Sequence, residues 1–117
     1  WEYGTGIDFA GKMVEAVTGQ KLGQYMQDNL LSPLGMTNTA FKISADMRAR
    51  LSRMHARTPD GLVPIEFEIP QEPEFEMGGG GMYSTTGDYL KFVQMILNDG
   101  QGNGNRVLCT DLRLSTS

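Results

Sequence analysis

Five features of this 117-residue chain carry side chains or backbone able to do chemistry: one histidine, one cysteine, an N-terminal tyrosine, a glutamate series and a run of four glycines. His55 is the residue that a Ser-His-Asp triad would have to use. It lies between Arg53 and Arg57 and reads more simply as a half-exposed structural histidine in a strand. Cys109 sits in a short apolar run and reads as a small buried residue. As the only cysteine, it excludes an internal disulfide and a cysteine zinc site. Glu66, Glu68, Glu72, Glu74 and Glu76 form a solvated acidic series, and no metal site is expected. The run Gly78-Gly79-Gly80-Gly81 could cradle an anion with bare N–H groups at a helix start. It lacks the Lys-Ser/Thr pair and the preceding buried strand of a phosphate loop. The simpler reading is a close backbone passage that only glycine permits. Tyr3 could relay a proton if a nearby cation lowered its pKa from about 10. Spacing alone does not single it out.

The elements that must position these groups are mainly helical. Ile7, Ala10, Met13 or Val14, and Val17 share one helical face, with Gly19 as a C-terminal stop. A second helix is predicted from about Lys21 to Leu31, with Leu22, Tyr25, Met26 and Leu30 as its stripe. Pro33 ends it, and the two helices should pack as a pair. Thr39–Ile43 is a strand candidate, and Ser44 a cap for a brief helix. Arg53–Thr58 and Leu62–Ile65 flank Pro59-Asp60-Gly61 and read as a hairpin. Pro70 and Pro73 keep the acidic stretch out of a central strand. Thr85 with Asp88 fits a capping box opening a third helix, whose stripe is Tyr89, Phe92, Val93, Ile96 and Leu97. Gly100–Asn105 reads as a flexible turn.

Composition narrows the function classes. Hydrophobic residues make up 39% and charged residues 21%, which fits a folded globular protein rather than a disordered tail. The net charge of −4 argues against a broad basic face for nucleic acid. No apolar run approaches a membrane span. No signal-peptide pattern opens the chain, which favours a cytoplasmic location without fixing the compartment. Residue 1 is Trp rather than Met, which points to a processed or partial chain.

Three blocks, in order, resemble one family. They are Trp1-Glu2-Tyr3-Gly4-Thr5-Gly6-Ile7-Asp8 through Val14-Glu15-Ala16-Val17-Thr18-Gly19; Pro33-Leu34-Gly35-Met36 with Thr37-Asn38-Thr39-Ala40-Phe41; and Gly79-Gly80-Gly81-Met82-Tyr83-Ser84-Thr85 with Asp88, Tyr89 and Phe92. This order is similar to that of the beta-lactamase-related serine hydrolases, which include class C beta-lactamases, family VIII carboxylesterases, D-peptidases and fungal acyltransferases. The resemblance runs to about Leu108. It implies a nucleophilic serine in an S-x-x-K motif and a tyrosine from a Y-x-N or looser motif as proton relay. Tyr3 matches that tyrosine and is the one catalytic residue expected here. Thr5 stands where a beta-lactamase would carry Asn, which suits the esterase and transesterase branch.

The 117 residues contain no S-x-x-K. Thr39-Ala40-Phe41-Lys42 has the spacing with threonine but falls in the wrong block. The K-T-G form of the family's third motif, which the resemblance implies lines the oxyanion side, is not present, since Thr85-Thr86-Gly87 lacks the cation. The expectation is therefore an α+β, mainly helical central fragment of a beta-lactamase/transpeptidase-like fold, lacking most of its sheet. Residues 1–36 would be a helical subdomain, 37–77 short strands and the acidic loop, and 78–117 the glycine-rich loop, a helix and a C-terminal segment. In the complete enzyme the partner would be a small acyl substrate, with no metal or organic cofactor, no nucleic acid and no membrane. Alone, the chain is expected to be inactive and to self-associate through exposed apolar surface. The alternative is a non-catalytic helical module that binds a partner.

Overall fold

The computed structural model describes residues 4–109. The chain opens with helix α1, Gly6–Thr18, closed by Gly19 at φ +70° with its N–H on the Glu15 carbonyl. Helix α2, Leu22–Met26, follows and continues as a single π-helical turn, Gln27–Leu31. The periodicity predicts one regular helix through Leu31, and the structure departs from it here. The Asn29 side chain donates to the Tyr25 carbonyl at 2.9 Å and competes for an acceptor of the α ladder. Beyond the wide turn, Leu31, Leu34 and Met36 enter the core together, with Gly35 at φ +67° between the last two.

Helix α3, Ala45–Ala49, is capped by the Ser44 hydroxyl, which accepts from the Met47 N–H at 3.1 Å. Strands β1, Met54–Thr58, and β2, Gly61–Ile65, pair antiparallel across Pro59-Asp60. Residues 66–85 form no regular element. Helix α4, Thr86–Leu97, is capped by the Thr85 hydroxyl. The stretch expected as a flexible turn is a tight hairpin: β3, Gln101–Gly102, pairs with β4, Asn105–Arg106, and Asn103 and Gly104 both have positive φ. The Thr39–Ile43 strand is reduced to one bridge, Ala40 with Tyr83. Lys42 turns away to Glu72, and Gln71 takes the Ile43 N–H, so no ladder extends.

The core is small. Leu31, Leu34, Met36 and Met95 form its centre, with Phe92, Val107 and Leu108 packed against it. Both long helices leave part of their apolar stripes facing outward, although Phe92 of α4 packs against the core. On α1 the inward positions are Gly11, Val14 and Glu15, whereas Ile7, Met13 and Val17 are exposed. On α4 the buried residues are Asp88 and Met95, whereas Tyr89, Ile96 and Leu97 are exposed. Among the described residues, no helix is long and apolar enough to cross a membrane.

Candidate functional site

Tyr3 lies outside the described residues, which begin immediately after it at Gly4. The segment that follows it opens α1. The Thr5 carbonyl accepts from the Asp8 and Phe9 N–H groups and starts α1. Asp8 then reaches across to the glycine run, where its Oδ1 accepts from the Gly79 N–H at 2.9 Å. The anion held by this glycine-rich backbone is thus a carboxylate of α1. A Cβ on Gly78 would collide with the Ile7 carbonyl oxygen, and one on Gly11 would lie 3.2 Å from the Gly78 nitrogen. Two glycines face each other so that α1 and the passage can touch backbone to backbone.

Beside this contact runs an open groove of about 340 Å³, lined by Thr5, Asp8, Phe9, Lys12 and Phe75. The Lys12 ammonium stands 5.0 Å above the centre of the Phe75 ring. It also donates to Glu15 at 2.8 Å. Glu15 in turn accepts from the Leu22 N–H at 3.0 Å, at the start of α2. The Lys12 bond first, and then the Leu22 N–H, hold the Glu15 carboxyl below its ordinary range. Phe75 also walls a second groove of about 200 Å³ with Phe41, Ile69, Pro70 and Met77.

The second and third sequence blocks meet at Asp88. Its carboxylate is buried and accepts from the Asn38 N–H at 2.7 Å, the Thr39 hydroxyl at 3.0 Å and the Lys91 ammonium at 3.0 Å. Burial alone would push this carboxyl up. The bonds from Lys91, Asn38 and Thr39 outweigh it and hold the group below the usual aspartate range. Only half of the expected capping box forms: Thr85 caps the Asp88 N–H, but the Asp88 side chain is spent on residues 38 and 39.

The other candidates are not brought together. His55 is exposed on β1 opposite Pro64. Cys109 is exposed rather than buried, because Val107 and Leu108 take the positions against the core. Thr39 turns to Asp88 while Lys42 turns to Glu72, so the T-x-x-K pair does not meet. The glutamate series is more than a solvated face: Glu68 grips Arg48 through two bonds, Glu72 holds Lys42, and Glu76 accepts from the Gly23 N–H. No group of three or more potential metal ligands occurs among the described residues. Sequence reasoning missed Asp8, Glu15 and Glu76 as links. Their partners are backbone N–H groups, which leave no side-chain signature.

Comparison with known proteins identifies the family. A family model described as Beta-lactamase matches residues 3–110. Monacolin J acid methylbutanoyltransferase of Aspergillus terreus is 37% identical over 102 residues, covering 83% of this chain and 25% of that protein. Lovastatin esterase of Penicillium rubens is 36% identical over 107 residues, covering 86% and 27%. Among solved structures, a mutant simvastatin synthase of Aspergillus terreus superposes with a TM-score of 0.75 at 39% identity, over 83% of this chain and 26% of that one. The chain spans about a quarter of the length of the curated relatives it matches.

Proposed function

Because this chain belongs to the beta-lactamase family, we propose that it serves acyl transfer through an acyl-enzyme, on the esterase and transesterase side of that family. The supporting observation is its identity, over most of its length, with proteins named as a methylbutanoyltransferase and an esterase. Thr5 in the third position of the tyrosine motif supports the same side. The nucleophilic serine comes from outside these 117 residues, which hold no S-x-x-K. Its Oγ attacks the carbonyl carbon of a small acyl ester. Tyr3 takes the serine proton and delivers it to the departing alcohol oxygen. In the second half, water or an acceptor alcohol attacks the acyl carbon, and the proton returns through Tyr3 to the serine. Backbone N–H groups stabilise each tetrahedral oxyanion. The Asp8–Gly79 and Gly11–Gly78 contacts hold the segment after Tyr3 in place.

The test is a chimera in which this chain replaces the matching stretch of the Aspergillus terreus acyltransferase. It should hydrolyse a p-nitrophenyl acyl ester, and Tyr3→Phe should lower kcat by about 10²–10⁴-fold. A folded chimera without activity would favour the partner-binding alternative. A folded, active chimera indifferent to Tyr3→Phe would remove the proton relay.

A further inference from the structure

The β1–β2 hairpin touches no other element among the described residues, and its two outer edges are unequal. The two-residue loop makes Thr58 and Gly61 a hydrogen-bonded pair. Along an antiparallel ladder such pairs alternate with pairs whose N–H and C=O groups point outward. Ala56–Val63 and Met54–Ile65 therefore bond inward, and Arg57–Leu62 and His55–Pro64 point outward. Proline has no N–H to give the ladder, which agrees with its outward position. The outer edge of β2 thus lacks a donor at Pro64. The outer edge of β1 keeps both groups at His55 and at Arg57, and no backbone bond to another segment engages them among the described residues.

The side chains add chemistry to that edge. Arg57 and His55 share one face of β1, and Arg53 continues the alternation one residue ahead of the strand. All three are exposed, and among the described residues neither arginine enters an ion pair. The opposite face carries Met54, Val63 and Ile65, exposed by 52%, 45% and 43%. The β1 side of one face is a basic row, with Leu62 and Pro64 beside it on β2, and the other face is apolar; next to an open backbone edge they form a template with a defined complement. Two copies paired edge to edge would set arginine near arginine, which is unfavourable. The charge that blocks self-pairing selects an opposite partner.

We propose that the β1 edge docks an extended acidic segment of another protein as a third strand. Its backbone pairs with His55 and Arg57. Alternate carboxylates lie beside Arg53 and Arg57, and the intervening apolar side chains continue the Met54–Val63–Ile65 face.

The probe is a fluorescent, end-blocked Glu-Val-Glu-Val-Glu-Val-Glu peptide titrated into the 117-residue chain, with amide hydrogen exchange on the complex. Saturable binding is expected, with slowed exchange at His55 and Arg57 and none at Leu62. Arg53→Glu combined with Arg57→Glu changes two exposed residues, so circular dichroism should be unaltered while Kd rises about tenfold or more. The same peptide N-methylated at alternate residues should bind no better than a random coil of equal charge. The proposal is overturned by absent binding, by equal binding of the N-methylated peptide, by protection at Leu62, by an unchanged Kd in the double variant, or by dimerisation of the chain through this edge.

Discussion

Asp88 is a buried carboxylate that satisfies a backbone N–H, a hydroxyl and an ammonium at once. Asp88→Asn keeps the shape but loses the charge, and should destabilise the chain by about 2 kcal/mol in urea unfolding. Its folded pKa is lowered, so its contribution is full above the unfolded value of about 3.9 and disappears as pH falls through the folded one. The gap between wild type and Asp88→Asn should therefore be constant near neutrality and close below about pH 4. A gap that widens on acidification would mean that the carboxylate is not the stabilising form. Two glycine substitutions give a sharper contrast. Gly78→Ala drives a methyl into the Ile7 carbonyl and should cost about 2–3 kcal/mol. Gly87 lies in α4 with open space around it, and Gly87→Ala should stabilise by about 0.5–1 kcal/mol. Thermal melts of the two variants should move in opposite directions.

At the scale of elements, α2 begins without a side-chain cap of its own, since Lys21 supplies none. Two carboxylates from elsewhere do that work: Glu15 on the Leu22 N–H and Glu76 on the Gly23 N–H. Glu15→Ala should cost about 1 kcal/mol and selectively speed hydrogen exchange at Leu22, with less effect at Gly23, which Glu76 still holds. Exchange that rises evenly along the chain would show that Glu15 does not cap α2. Local signals in the sequence gave clear access to this level. Gly19 stops α1, Ser44 and Thr85 cap their helices, and Pro59-Asp60 turns the hairpin, each because the rule involves neighbours in sequence. The long-range links were not legible. Nothing in residue 76 marks it as the cap of a helix more than fifty residues earlier, and nothing in Asp88 shows that its side chain leaves its own helix for Asn38 and Thr39. The π turn was equally hidden, because Leu22, Tyr25, Met26 and Leu30 suit an unbroken helix as well. The candidate site was legible only in part: Tyr3 came from resemblance, while the groove of Thr5, Phe9, Lys12 and Phe75 draws on positions far apart in the chain.

At the scale of the whole fold, the described residues have a radius of gyration of 16.7 Å, against about 13 Å for a compact domain of similar length. An open arrangement leaves apolar stripes uncovered: Phe9, Met13 and Val17 on α1, and Tyr89, Ile96 and Leu97 on α4, are exposed. Purified chain should bind a hydrophobic dye and associate as its concentration rises, read by sedimentation. A dye-silent monomer across that range would mean that these stripes find cover within the chain. One feature of the middle of the molecule reaches further. The Ala40–Tyr83 bridge and the Asp88 carboxylate clasp the two ends of the stretch that contains α3 and the β1–β2 hairpin. The hairpin leans on no other element. Strain introduced at its tip therefore stops at that clasp before reaching Leu34 or Met95. The first residues added replace the two-residue corner that sets the strand register; beyond that, each doubling of a flexible loop costs only about 0.6 kcal/mol. The Pro59-Asp60 corner is thus a place where residues can be spliced in, by evolution or by an engineer grafting an epitope, with the rest of the fold left unaware of the change.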